Sequence, residues 1–224
     1  MLSVHTTEGK FDAHTNLAFT FEQPEGDLLL LANGSNEMFG SRHQPTVDFG
    51  VRCFMEAFDG SRDSDNVNRL VGAFSYVEEQ FRDLGTSNQQ EQAFTLICVF
   101  ASQASITVGG IGSDQAKVFR AGQVQFASTP DVVDVRSGSA RVITGARVIS
   151  SGVGNPMGNH LVTQNWSIEA GDTIVIANYR LFALGHYDLI VNSLSALNPS
   201  EALCRICDSQ GNRLTDAAIV CNGL

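Results

Sequence analysis

Two asparagines directly follow hydrophobic stretches of the sequence, at positions where a β-sheet protein can place polar functional groups. Asn33 follows the run Leu28–Leu31 and precedes Gly34, and Asn178 follows the apolar stretch Thr173–Ala177. A short apolar run that ends in a polar residue predicts a buried strand that delivers this residue to the rim of a sheet. A carboxamide at such a rim is neutral, whereas hard divalent cations are held largely by carboxylates. The two residue types therefore predict a polar but uncharged rim, which on its own does not suit a hard divalent cation.

Four ionisable residues near these stretches are candidates for a remodelled cleft. Glu37 and His43 lie in the loop after Asn33, and Asp114 and Asp216 each precede a predicted strand. Loop polarity explains Glu37 and His43 equally well. The asparagines are also compatible with ordinary strand-end turns in an unrelated α+β protein. Both readings stay open at the level of the sequence.

Other motifs in the chain favour structural roles. Cys204 and Cys207 form a lone C-x-x-C on a predicted helix, where they share one face, so packed core thiols are favoured over a metal or redox site. The stretch Gly109–Gly112 predicts a turn before a hairpin, because no helix follows it to form a phosphate loop. The five histidines are scattered without an i, i+4 pair, and no G-x-S-x-G elbow is present, although Ser/His/Asp catalysis stays open.

Composition limits the class of partner. The chain has 224 residues, 43% of them hydrophobic, which is enough for the core of a single domain spanning 1–224. Its net charge is −10, with 24 acidic and 14 basic residues, and the sequence shows no run of Lys or Arg. A nucleic-acid-binding protein is expected to carry a basic patch, so we expect no nucleic-acid partner.

The sequence also predicts a location. No apolar stretch approaches the ~20 residues that span a bilayer, so no membrane partner is expected. The N-terminus lacks the basic and apolar regions of a signal peptide. Five cysteines, an odd number, are typical of reduced thiols. We therefore predict a cytoplasmic protein.

The order of predicted elements indicates the fold class. A hairpin leads into the Leu28–Leu31 strand, and two helices follow, a weaker one over 45–58 and a strongly amphipathic one from about Ser64 to Gly85. Strands are then predicted at 94–100 and 106–108. A hairpin is predicted over 117–126, with its turn at Ala121-Gly122. Residues 128–160 are predicted to form a loop-rich insertion with short strands. After the Thr173–Ala177 strand come helices over 188–197 and 200–208, the second capped by Ser200, and a final strand over 217–221. This order predicts an α+β fold in which two antiparallel sheets pack face to face and a helical pair covers each outer face.

Six short segments, in this order and at compatible spacings, carry a resemblance to a known family. They are Gly9-Lys10-Phe11, Gly26–Gly34, Thr107–Gly122, Ser151–Gly154, Glu169–Ile176 and Leu214–Val220. Together they resemble landmarks of the metal-dependent PP2C/PPM protein phosphatases, including the strand that ends in Ala-Asp-Gly. The resemblance covers nearly the whole chain and implies the four-layer α-β-β-α sandwich of that family, with 128–160 as a short flap.

The same resemblance implies that the metal site is degenerate. In active members, acidic residues gather two Mg²⁺ or Mn²⁺ ions that activate a water for attack on a phosphoryl group. Their positions fall on uncharged residues here, namely Leu17, Asn33 with the following Gly34, Asn178 and Thr215. A further acid falls on Ser113; a one-residue shift would instead make Asp114 or Asp216 the counterparts, and Leu17, Asn33 and Asn178 would still be uncharged.

The resemblance therefore implies a pseudophosphatase that binds no cofactor and acts through a protein partner, such as a kinase or a phosphoprotein. We expect the 128–160 insertion to contribute to that contact. Two alternatives stay open. One is an active hydrolase with a rebuilt site that uses Asp114, Asp216, Glu37 or His43, and the other is a structural subunit of a larger assembly.

Overall fold

The structure is a computed structural model, and the fold is given for those parts of the chain that it describes. These are residues 3–6, 18–35, 44–88, 92–102, 105–111, 114–128, 133–137, 140–144, 147–149, 164–177, 182, 187–196, 198, 201–202, 205 and 218–222. Two antiparallel sheets form the centre. The predicted α+β sandwich is confirmed.

Sheet I contains the leucine-rich strand. Its strand order is β11-β5-β4-β3-β2, and β10 pairs with an extension of β4. The bounds are β2 Ala18–Gln23, β3 Gly26–Ser35, β4 Gln92–Ala101, β5 Ser105–Ile111, β10 Arg147–Ile149 and β11 Gln164–Ser167. The central strands β3 and β4 are covered on both faces, which explains why their apolar residues run without alternation.

Sheet II has the strand order β1-β13-β12-β6-β7. Its bounds are β1 Ser3–Thr6, β6 Gln115–Arg120, β7 Gln123–Ala127, β12 Thr173–Ala177 and β13 Ala218–Asn222. The β6–β7 hairpin turns at Ala121 and Gly122, both with positive φ of 49° and 76°, as the sequence predicts. A separate two-stranded hairpin is formed by β8 Val133–Ser137 and β9 Ala140–Thr144.

Two long helices cover the outer face of sheet I. They are α1 Gln44–Gly60 and α2 Asn66–Asn88. Their apolar stripes meet through phenylalanines, with Phe54 and Phe74 in an edge-on contact at 5.1 Å between ring centroids. Asp65 caps α2, because its Oδ1 accepts the Val67 amide at 2.9 Å. None of the described helices is long and apolar enough to cross a membrane.

In the described part of the chain, one helix, α3 Tyr187–Ala196, covers sheet II. Ile190 of this helix belongs to a second hydrophobic cluster with Phe119, Val175 and Ala177 of the sheet. The second helix predicted for this layer, 200–208, lies largely outside the described residues. At its start Asn198 Oδ1 accepts the Glu201 amide at 3.0 Å, and the predicted cap Ser200 lies outside the described residues.

Two local predictions were wrong. The second helix does not stop at Gly85 but continues to Asn88. The glycines of Gly109–Gly112 were predicted to form a turn, yet Gly109 and Gly110 lie inside β5, opposite Cys98 and Ile97 of β4. Within β5, the pairing with β4 outweighs the local preference of glycine.

The strands on either side of the 128–160 insertion meet in an aromatic contact between the two sheets. Phe126 of β7 and Trp166 of β11 stack with their ring centroids 5.3 Å apart and their planes 10° from parallel. Ser128 Oγ accepts the Ala116 amide at 2.9 Å and fixes the end of β7. The predicted short strands are present within the insertion as β8, β9 and β10. The flanking strands β7 and β11 are therefore in contact at one edge of the sandwich.

A pair of glycine variants tests the packing of the helical layer. A Cβ at Gly50 of α1 would collide with the ring of Phe94, whereas a Cβ at Gly72 of α2 would meet nothing within 4 Å. We expect Gly50→Ala to lower the free energy of unfolding by about 1–3 kcal/mol. Gly72→Ala should raise it by about 0.5–1 kcal/mol, since alanine favours an exposed helix position. Urea unfolding measures both, and a Gly50→Ala protein as stable as the natural one would contradict this packing.

Candidate functional site

Asn33 lies next to a buried carboxylate. Its Nδ2 donates to Asp114 Oδ2 at 3.4 Å, and Thr95 Oγ1 donates to the same oxygen at 2.9 Å. Asp114 is only 6% exposed. A carboxylate removed from water needs such donors to replace its hydration. The three side chains form one polar cluster, which we call the Asn33 cluster (Asn33, Thr95 and Asp114).

The Asn33 cluster joins the two sheets. Asn33 in β3 pairs in register with Thr95 in β4, so both belong to sheet I. Asp114 directly precedes β6, the strand that enters sheet II. The hydrogen bonds to Asp114 therefore connect one sheet to the beginning of the other.

Gly34 holds the first turn of α1 close to this cluster. A Cβ at Gly34 would lie 2.9 Å from Thr46 Cγ2 and 3.2 Å from Val47 Cγ2. Contacts this short leave no room for a side chain. Asn33 and Gly34 are part of β3 itself, which continues to Ser35, so the alternative of a strand-end turn is wrong at this position.

The structure does not describe most of the other candidate residues. Asn33, Gly34 and Asp114 are the members that it places. The remaining candidates lie outside the described residues, namely Leu17, Glu37, His43, Asn178, Thr215 and Asp216. The Cys204–Cys207 motif also lies outside them, and the free cysteines placed by the structure are Cys53 and Cys98. Sequence reasoning missed Thr95, because only the pairing of β3 with β4 sets it opposite Asn33.

A second charged network fastens the Gly171-Asp172 corner to the β6–β7 hairpin. Asp172 Oδ1 accepts from Arg120 Nε at 2.6 Å, and its Oδ2 accepts from Arg120 Nη2 at 2.8 Å and from the Glu169 amide at 2.9 Å. These hydrogen bonds, first the one from Arg120, lower the pKa of Asp172, although burial opposes them. The bond to Asp172 likewise raises the pKa of Arg120. This bidentate pair is a structural clamp within sheet II.

Comparison with solved structures finds the same architecture over nearly the whole chain. The catalytic domain of the serine/threonine protein phosphatase PstP, in complex with two manganese ions, matches with a TM-score of 0.71 and 14% identity, covering 99% of this chain and 97% of that chain. The S. agalactiae serine/threonine phosphatase matches with a TM-score of 0.71 and 14% identity, covering 99% and 98%. PppA, a key regulatory component of T6SS in Pseudomonas aeruginosa, matches with a TM-score of 0.69 and 14% identity, covering 100% and 97%.

The chain has the PP2C phosphatase fold. No family model and no curated protein matches the sequence. The likeness shown therefore lies in the backbone. It shows the architecture, and the chemistry has to be read from this chain's own side chains.

The Asn33 cluster does not fit the pair of cations that the PP2C fold implies. Asn33 and Thr95 present donor hydrogens to Asp114, so a cation approaching this oxygen would meet positive dipole ends. Within the described part of the chain, no three His, Cys, Asp or Glu residues are grouped closely enough to hold a metal. Mg²⁺ is usually bound through one or two carboxylates together with waters and phosphate oxygens. A single carboxylate already bonded by two donors is a poor starting point for a two-metal site.

Proposed function

We propose that this protein is a catalytically silent PP2C-like domain that acts as a regulator or adaptor through protein–protein contacts. The observation that supports this most strongly is the Asn33 cluster. The Asn33 amide and the Thr95 hydroxyl donate to Asp114. Asn33 lies near the end of β3, the strand that corresponds, by the resemblance, to a metal-binding strand of active members. The amide is nearly isosteric with the aspartate that it replaces, so the sheet is kept and the charge is lost.

Loss of the two cations would remove the chemistry of phosphate ester hydrolysis. Two-metal phosphatases depend on the ions to lower the pKa of the attacking water from ~16 towards neutrality and to neutralise the phosphoryl oxygens. Hydrogen-bond donors that are directed at Asp114 do neither. A phosphate ester bound in this cleft would therefore remain intact, which suits a protein that shields or presents a phosphorylated partner.

A phosphatase assay tests the silent site. We expect the protein to hydrolyse p-nitrophenyl phosphate no faster than buffer does, with or without millimolar Mn²⁺. Its melting temperature should also be the same with and without Mn²⁺, since a ligand that binds only the folded state would raise it. An active PP2C phosphatase assayed in parallel supplies the positive control. Manganese-dependent turnover by this protein would reject the proposal.

One observation favours the rebuilt hydrolase as a second candidate. Asp114 is a retained buried carboxylate, and Glu37, His43 and Asp216 are polar residues that the resemblance puts near the same cleft. If they served one metal ion, turnover would appear with Mn²⁺ and disappear in Asp114→Asn. The third candidate, a structural subunit, would co-purify in a stable assembly whatever happens to the cleft.

We also propose that the protein works in the cytoplasm, where a kinase or a phosphoprotein would meet it. Cys53 and Cys98 are free thiols in the structure. Complete burial raises the pKa of Cys98 well above its ordinary value, so this thiol stays protonated and unreactive. Two free thiols are compatible with a reducing compartment.

A further inference from the structure

Asn33 and Gly34 form a dipeptide that is chemically unstable in an unconstrained chain. The backbone nitrogen of Gly34 can attack Cγ of Asn33, and glycine has no side chain to hinder this attack. The new nitrogen–carbon bond forms as the Cγ–Nδ2 bond breaks, and ammonia leaves with the proton of the Gly34 amide. Water then opens the resulting cyclic imide to aspartate or isoaspartate. The net change is hydrolysis of the side-chain amide, with no oxidation or reduction.

The backbone of β3 opposes this reaction. Asn33 and Gly34 both belong to β3, and they pair in register with Thr95 and Phe94 of β4. An antiparallel strand has ψ near about +135°, which turns the following nitrogen away from Cβ of the residue before it. Ring closure needs the Gly34 nitrogen and the Asn33 Cβ on the same side of the Cα–C bond. The end of β3 must therefore leave the sheet before the attack can occur.

Two further contacts hold the same position. Asn33 Nδ2, the group that would leave as ammonia, donates to Asp114 Oδ2 at 3.4 Å. A Cβ on Gly34 would lie 3.2 Å from Val47 Cγ2, so the first turn of α1 leaves little room for the Gly34 backbone to move. Val47 is only 1% exposed, whereas Asn33 is half-buried and open to water. Geometry rather than access of water therefore limits the reaction.

We propose that Asn33 is a conformation-gated deamidation site. The folded state keeps the amide, and the amide is converted to a carboxylate when the end of β3 and the first turn of α1 open together. Native proteins open locally in this way, at a frequency that the local packing sets. The conversion runs one way because the ammonia is lost to the solvent. It places a second carboxylate beside Asp114, and the repulsion between the two marks the opened chain with a lower stability.

This site is independent of the proposed function, because a silent domain and an active one would lose the Asn33 amide by the same route. The two are also distinguishable in a phosphatase assay. Manganese-dependent turnover by protein whose Asn33 is intact would reject the silent site and leave the gate untouched. Turnover that grows only with the deamidated fraction would belong to the modified chain.

Peptide mass spectrometry on the full-length protein measures the gate. The protein is incubated in mildly alkaline buffer, either folded or unfolded in guanidinium chloride. Asn222-Gly223, the other Asn-Gly dipeptide of the chain, is the internal control. In the unfolded chain we expect both dipeptides to convert at similar rates, because their chemistry is the same. In the folded protein Asn33 should convert at least about a hundredfold more slowly than in the unfolded chain, since a packed strand end is rarely open.

A matched pair of valine variants locates the gate. Val47→Ala removes two methyl groups beside Gly34, so it should speed the conversion of Asn33 about tenfold in the folded protein. Val71→Ala makes the same change in α2 at a side chain that is 39% exposed, and it should leave the rate at Asn33 unchanged. Circular dichroism confirms that each variant is folded during the incubation.

Three results would overturn the proposal. The first is conversion of Asn33 as fast in the folded protein as in guanidinium chloride, and the second is no conversion of Asn33 in the unfolded chain. The third is an unchanged rate in a folded Val47→Ala protein, which would remove α1 from the gate. If Val47→Ala does not fold, the comparison of the folded and the unfolded natural protein still decides.

Discussion

Asn33→Asp is expected to melt about 6–12 °C below the natural protein in metal-free buffer, which corresponds to roughly 3 kcal/mol for a chain of this size. The substitution removes the amide that donates to Asp114 at 3.4 Å and places a second carboxylate beside a residue that is 6% exposed. Two neighbouring carboxylates repel each other most strongly when both are ionised. Differential scanning calorimetry measures the change.

Two comparisons identify the cause of that loss. Asn33→Ala removes the hydrogen bond without adding charge, so it should cost only about 1–2 kcal/mol. The deficit of Asn33→Asp should shrink as the pH falls and the pair takes up a proton, and should also shrink with millimolar Mn²⁺, which compensates paired carboxylates. If Asn33→Asp is as stable as the natural protein in metal-free buffer, the Asn33 cluster does not have the role that we assign to it.

Asp172→Ala should lower the free energy of unfolding by about 1–3 kcal/mol at pH 7, because the buried Asp172 accepts hydrogen bonds from Arg120 and from the Glu169 amide. The loss stays below that of a fully buried ion pair because Arg120 is 30% exposed and water can partly solvate it. Glu169→Gln is the matched control. Glu169 contacts the same guanidinium at 2.9 Å but is 69% exposed, so its loss should cost well under 1 kcal/mol.

The pH dependence of this second effect has a definite sign. The pKa of Asp172 is lowered in the folded protein, chiefly by the hydrogen bond from Arg120. A carboxyl group whose pKa is lower in the folded than in the unfolded state stabilises the fold above its unfolded pKa, and this contribution is lost as the pH falls through the folded pKa. The difference between the natural protein and Asp172→Ala should therefore be full at neutral pH and fade below about pH 4. Urea unfolding at pH 7 and at pH 3 checks this, and a constant difference would contradict the clamp.

Much of the architecture could be predicted from local patterns in the chain. The unbroken Leu28–Leu31 run predicts a fully covered strand, and the apolar stripe of α2 predicts a helix with one buried face. Both elements are present, in β3 and α2. Errors arose where glycine was read by its local preference alone, at Gly85 and within β5. Within β5, the pairing with β4 keeps the regular strand.

The site itself depends on contacts between distant segments. Asn33 could be singled out because it follows a strand, but its partners Thr95 and Asp114 are fixed only by the pairing of β3 with β4 and by the entry into β6. A one-residue shift moves a strand residue to the opposite face, so sequence reasoning could not choose between Ser113 and Asp114 as the counterpart of a family acid.

A manganese soak tests the central claim most directly. Crystals of the natural protein are soaked in millimolar MnCl₂, and anomalous difference density is collected near the manganese absorption edge. We predict no anomalous peak within coordinating distance of Asn33 or Asp114, and hydrogen bonds from Asn33 and Thr95 to Asp114 that match those described. A pair of manganese peaks beside these residues would contradict the claim that the cleft has lost its metal site.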